Sequence, residues 1–410
     1  MDLELKILVV ADVNSVHSGR FIDFLYGTKS DIRVFPSTKS DSVDDHLIGH
    51  VLYKLGSNRK LVITPKLHVK KGKVQSKLFS LILVFRKIIL KVFRIKTNRS
   101  DYRLRTENFI DVLKEWKPDL VISLKMQNEG YLVSEAFKRL NDPNSVKWMH
   151  FLWGTDIEFF AKNSDFQRLH LDKVRDAISN CNYLIADTHR DSTQVDQYGF
   201  KGRNFGRMIA TGGFSLDEFN IPRESQSERQ IILVKGRDGD LVGRAKLVLS
   251  ALEILGPKLE GFEVVVVMAT KEIRAEVHLI SKLGIINISC APRVTYPELL
   301  SLFAKSCVAI SATTVDGLPL FLAEAILLGA FPIHSTMDSI KEWVEDGVNG
   351  NLFELKDPDK LAQIILNALS NQTLRRQAEE INRELAVNNF SRDRNLVRFN
   401  EIFTQIKQDL

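Results

Sequence analysis

Apolar runs that are continuous rather than alternating recur along this 410-residue chain, and helical patterns separate them. LKILVVADV, DIRVF, KLVITP, DLVISL, VKWMHFL, NYLIADT and RMIATGG come first, and IILVKGR, FEVVVVMAT, INISCAP, CVAISAT and AFPIHS follow. A strand apolar on every side is covered on both faces, which parallel sheets flanked by helices provide. A helical pattern lies around Phe21 to Leu25, and Phe109, Leu113 and Trp116 stand at i, i+4, i+7 before Pro118 stops the turn. Between the two series lies SLDEFNIPRESQSERQ, a polar stretch with few large apolar residues. The fold class expected is therefore α/β, with two doubly wound Rossmann-like domains facing a cleft. Residues 1–215 form the first domain, 216–229 a linker, 230–385 the second domain, and 386–410 a polar helical tail. Ligands of such sheets bind at the carboxyl ends of the strands, so the site is sought on strand-to-helix loops.

Charge is unevenly spread. Residues 66–99 hold 11 Lys and Arg and no acid, and removing those 11 charges from the formal +6 leaves −5. Cations interleaved with Leu78, Phe79, Leu81, Ile82, Val84, Phe85, Ile88, Ile89, Leu90, Val92 and Phe93 suit a helix lying on an anionic membrane surface. A core helix beside a solvated basic loop has the same pattern. Nucleic-acid binding is not expected, because the interleaved residues are mostly aliphatic rather than stacking aromatics. The N-terminus is acidic where a signal peptide is basic, and no long uncharged apolar run follows. Cys181, Cys290 and Cys307 show no paired spacing. The expectation is a cytoplasmic protein, peripheral at the inner face of the membrane.

Two segments of the second domain carry chemistry. In CVAISATTVDGLPLFLAEAILLGAFPIHST, Asp316 and Gly317 form a turn and Pro319 fits the first turn of a helix. The amides of Leu318, Leu320 and Phe321 would then form an anion site at the helix N-terminus. From Leu318 to Leu328 that helix is apolar on every side yet contains Glu324. A buried carboxylate is costly without partners, and a ligand with hydroxyls, such as a ribose, would supply them. A structural cation or backbone amides would do so too. The second segment, ILVKGRDGDLVGRAKLVLSALEIL, is a Gly-rich basic loop between a strand and a helix beginning at Arg244. Lys235, Arg237, Arg244 and Lys246 are its candidate phosphate partners, although neither G-x-x-x-x-G-K-[ST] nor G-x-G-x-x-G is present.

These residues carry a resemblance. DGLPLFLAEAILLGAFPI is similar to the Glu-x7-Glu signature of the family 4 retaining glycosyltransferases of GT-B architecture, with Asp316 in place of the first Glu. TYPELLSLFAKSCVAIS, TGGFSLDEF and WVEDGVNGNLF resemble three further segments of that family, in the same order. The resemblance covers most of residues 180 to 370. It implies that Glu324 holds the ribose of a nucleotide-sugar donor. Asp316 and the Gly317, Leu318, Pro319 and Leu320 backbone would hold sugar and phosphate, while Arg244 with Lys235 or Arg237 neutralises the departing diphosphate.

In the first domain the family often places a histidine after the strand read here as DLVISL, and this chain has none there. His150, at the end of the next strand, and Asp156 in the following WGTD loop are the candidates for a catalytic, sugar-side role. His17 and Ser18 on the first loop are the acceptor-side candidates. Neither metal nor cofactor is expected beyond the nucleotide sugar, of UDP or GDP type. The implied activity is retaining transfer of a hexosyl group to a glycan or lipid-linked acceptor in surface-polysaccharide or lipopolysaccharide assembly. The alternative is a degenerate, non-catalytic GT-B protein that binds nucleotide or glycan as a partner or regulator.

Overall fold

The structure, a computed structural model, describes residues 5–37, 51–52, 62–63, 102–140, 146–158, 164–239 and 242–410. The basic segment 66–99 lies outside the described residues. Two sheets organise the chain. The first contains β1 (Lys6–Ala11), β2 (Asp31–Pro36), β3 (Val51–Leu52), β4 (Val62–Ile63), β5 (Leu120–Leu124), β6 (Lys147–Leu152), β7 (Tyr183–Ala186) and β8 (Arg203–Arg207). Their order is β4-β3-β2-β1-β5-β6-β7-β8. Each neighbouring pair is parallel except β3 and the edge strand β4. The second sheet has the order β11-β10-β9-β12-β13-β14 and is parallel throughout. It is built from β9 (Ile231–Lys235), β10 (Glu263–Val267), β11 (Ile288–Cys290), β12 (Ser306–Ser311), β13 (Phe331–Ser335) and β14 (Asn351–Phe353).

Both sheets are covered on both faces, as the continuous apolar runs require. Along β1, Ile7, Val9 and Ala11 enter one core while Leu8 and Val10 enter the other. In β9, Ile232 and Val234 face one side and Leu233 the other. Strand order reverses between β1 and β5 in the first sheet and between β9 and β12 in the second. These are the switch points where loops diverge and leave a crevice.

The chain crosses between domains twice, and the two crossings touch. Phe214 N–H donates to the Phe390 carbonyl at 2.7 Å, and Arg392 N–H donates to the Phe214 carbonyl at 2.9 Å. Glycine is required here: Gly213 has φ +99°, and a Cβ on it would lie 2.7 Å from the Phe390 carbonyl.

One expectation changes. The tail is not simply polar: helix Arg392–Asp409 returns to the first domain and buries Phe399, Ile402, Phe403 and Ile406 against Phe21 and Phe24. The linker 216–229 is tied down as well. Buried Arg229 donates to the Gly329 carbonyl at 2.6 Å and to Glu379 at 3.1 Å, and Gln226 donates to the same carbonyl. Polar residues of the linker thus anchor the chain before β9, because distant carbonyl and carboxylate groups satisfy them.

Candidate functional site

The carboxyl ends of the two sheets face each other across a cavity of about 500 Å³, which Lys125, Trp153, Gly154, Arg237, Asp316 and Gly317 help to line. From the second domain come the two segments singled out in the sequence, and backbone bonds join them. Arg244 N–H donates to the Ala312 carbonyl and Thr314 N–H to the Val242 carbonyl, each at 3.0 Å. The basic loop therefore lies beside the Asp316 segment. Gly243 must be glycine, since a Cβ there would come 2.3 Å from the Arg237 carbonyl. Lys235 ends β9, Arg237 is exposed, and half-buried Arg244 caps helix Ala245–Leu255.

The apolar helix runs Leu320–Leu328, shorter than the sequence suggests, with Pro319 at its cap in extended conformation (φ −62°, ψ 132°) rather than in its first turn. Glu324 is 2% exposed and its Oε2 has no hydrogen-bond partner. Burial pushes its carboxyl up to about 7, against the opposing pull of the Arg20 guanidinium, the Tyr296 hydroxyl and the Lys235 ammonium. Arg20 comes from the first domain and stacks 4.8 Å over the Tyr296 ring. Half-buried Asp316 accepts the Gly317 N–H at 3.0 Å, while its carbonyl accepts from Ser339.

The expected anion site differs in one respect. The Leu318 amide already donates to the Asp187 carboxylate of the first domain at 3.2 Å. Asp187 also accepts from Ala210 N–H at 2.9 Å, and burial raises its carboxyl to about 7. Beside it the backbones of Gly154 and Gly317 touch: a Cβ on Gly154 would lie 2.0 Å from the Gly317 Cα. Glu342 of the second domain accepts the His189 and Arg190 amides at the start of a first-domain helix, which extends the same contact.

The first-domain candidates divide. His17 lines the cavity with its ring 5.7 Å from that of Trp153. Burial and the nearby Lys125, Arg20 and Lys235 charges lower its pKa to about 4, so it is neutral at physiological pH. Ser18, one residue on, is buried in helix Val16–Leu25. His150 is not in the cleft. It is fully buried in β6 with Nδ1 2.6 Å from the Ser123 hydroxyl, and burial lowers its pKa to about 3. Asp156 is also fully buried, accepting the Trp153 and Met126 amides at 2.8 and 3.0 Å. It shapes the WGTD loop, so that Trp153, Gly154 and Thr155 line the cavity in its stead.

Lys125, Asp187, Arg20 and Tyr296 escape sequence reasoning. Asp187 has a signal, an acid at the carboxyl end of an apolar strand. For the others only tertiary placement identifies them. Among the described residues, no group of three or more His, Cys, Asp and Glu is arranged to hold a metal ion. No described helix is long and apolar enough to cross a membrane.

Residues 217–385 match the family model described as Glycosyl transferases group 1. No curated protein matches the chain. Among solved structures, the chain is similar to sucrose-phosphate synthase from Thermosynechococcus elongatus (TM-score 0.70, 13% identity, 98% of this chain and 99% of that one). It is likewise similar to Anabaena HepE in complex with UDP and glucose (0.67, 14%, 99% and 100%). A third is the lipopolysaccharide outer core galactosyltransferase WaaB (0.64, 14%, 97% and 99%). The chain therefore has the two-domain GT-B fold, and residues 217–385 of it match a glycosyl transferases group 1 domain.

Proposed function

We propose that the protein is a retaining glycosyltransferase that moves a hexosyl group from a nucleotide sugar to a glycan or lipid-linked acceptor, without a metal. One observation carries the reading: Glu324 is buried in an apolar helix with an unpartnered oxygen, on the domain that brings the basic loop to Asp316. A vicinal diol, such as that of a ribose, supplies the donors that such a carboxylate needs. Lys235, Arg237 and Arg244 then neutralise the diphosphate as it leaves. Charge that grows in the transition state is where binding contributes to rate. The fold shared with HepE, crystallised with UDP and glucose, supports UDP as the first nucleotide to try. The basic segment 66–99 would hold the enzyme at an anionic membrane face, a reading that rests on its sequence.

A second reading has an observation of its own. Asp187 occupies the Leu318 amide and Gly154 abuts Gly317, which narrows the sugar-phosphate subsite in this arrangement. A non-catalytic nucleotide- or glycan-binding protein would keep the Leu318 amide on Asp187 permanently, whereas an enzyme that uses this amide for phosphate must release it.

The test is calorimetric titration of UDP, GDP and ADP into the wild type and Glu324→Ala, followed by an assay for sugar release. One nucleotide is expected to bind the wild type and to lose roughly 1 to 3 kcal/mol on truncation. Equal binding by Glu324→Ala makes the carboxylate structural. Tight binding with no turnover of any nucleotide sugar favours the second reading.

A further inference from the structure

Directly after β5, Lys125 adopts φ +75° and ψ 156°, a conformation that is essentially glycine's. A side chain is held there against the preference of its own backbone, at the mouth of the first sheet. The same backbone donates Lys125 N–H to the Phe151 carbonyl at 3.1 Å, which ties the strained residue to β6. The Lys125 ammonium sits 4.8 Å over the Trp153 ring centre. An aromatic face holds a cation without neutralising it, and the ammonium keeps donors for a further partner. Asp156 and Glu129 lie close enough to act on it, but burial holds both carboxyls toward their protonated forms. His17, against the same indole, adds no charge at neutral pH. Asp316 and Gly317 line the same cavity from the second domain. The diphosphate already has its cations in Lys235, Arg237 and Arg244, so Lys125 is a further one on the opposite wall.

We propose that the sugar bound between Asp316–Gly317 and the Lys125–Trp153 wall carries a carboxylate, and that Lys125 selects it. This rests on the nucleotide-sugar reading above and adds a substrate class to it. The carboxylate belongs either to the donor, as in a nucleotide-activated uronic acid, or to the acceptor glycan. Lys125 is thus a specificity-determining residue, distinct from the groups that hold the nucleotide.

The experiment uses the full chain as wild type, Lys125→Met and Lys125→Arg. UDP affinity is measured first, then UDP-glucuronate against UDP-glucose, then uronate-terminated against neutral disaccharide acceptors by kcat/KM. Expected is at least tenfold preference for the acidic member in the donor arm or the acceptor arm. Lys125→Met should shrink it to about twofold, Lys125→Arg should retain most of it, and UDP should bind all three proteins alike. Wild type that treats both pairs alike overturns the proposal. So does weaker UDP binding by Lys125→Met, which would make Lys125 a diphosphate contact. If UDP, GDP and ADP all fail to bind the wild type, the nucleotide-sugar reading itself falls and takes this proposal with it.

Discussion

Glu324 and Lys125 are both held where their surroundings disfavour them, one through its charge and the other through its backbone. Strain of the Lys125 kind is worth about 1 to 3 kcal/mol and persists only where the surrounding structure enforces it. Lys125→Gly should therefore stabilise the fold by about 1 kcal/mol, the relieved strain less the chain entropy that glycine adds to the unfolded state. Urea unfolding reads this, and a destabilised variant would show that the lysine side chain is needed for packing. The two residues also differ in legibility. A carboxylate inside LFLAEAILL breaks a rule of chemical type and is visible in sequence. Lys125 breaks a rule of backbone conformation, which no neighbouring residue type announces. His150 is the reverse case: a histidine ending a strand looks available, but Ser123 on the adjacent β5 takes up its ring nitrogen inside the sheet.

Among the elements, helix Arg392–Asp409 shows how a segment late in the chain completes a domain begun early. The Phe399 ring lies 5.9, 5.5 and 4.6 Å from those of Phe21, Phe24 and Phe403. It is fully buried. Phe399→Ala should cost about 3 to 5 kcal/mol and should lower the unfolding midpoint of the first domain, although residue 399 follows the second domain in sequence. Unchanged thermal unfolding would mean that the helix is docked loosely rather than built into the core. The sequence reads this tail as a polar helix, and its partner sheet is not legible either, since nothing local tells a helix which of two cores lacks a cover. The strands are the opposite: continuous apolar runs name a doubly covered parallel sheet without any knowledge of their neighbours.

For the molecule as a whole, burial sets opposing pH dependences. Glu129 is pushed up to about 8, and Asp156, Asp187 and Glu324 to about 7. Each therefore holds its proton in the folded state at a pH where the unfolded chain has lost it, so stability falls as pH rises from the unfolded value near 4 through the folded one. His17, His150 and His334 are lowered to about 4, 3 and 4. They act in the other direction, and their contribution is complete above pH 6.5. The two sets compete below that value, and only the carboxylates remain above it. The unfolding free energy should therefore decline between pH 6.5 and 8.5, by at most about 1.4 kcal/mol per proton per pH unit. Glu129→Gln, which keeps a group able to meet the Ser37 hydroxyl 2.5 Å away, should flatten the upper part of that decline. A profile that rises through this window contradicts the assignment.

Local chemistry was enough to establish the doubly wound α/β class and to single out Glu324, Asp316 and a basic loop as donor-side candidates. Each of these follows from residue type and spacing within one short segment: apolar runs, a misplaced carboxylate, glycines among cations. Contacts between segments far apart in the chain decided the remainder. Asp187 meets Leu318 across 131 positions, and Arg392 meets Asp23 across 369. Spacing along the sequence carries no record of such pairings, because they depend on how two separately packed sheets come to rest against each other. Packing within the first domain leaves His150 and Asp156 in the interior, and the meeting of the two sheets puts Lys125, Trp153 and Asp187 at the cleft.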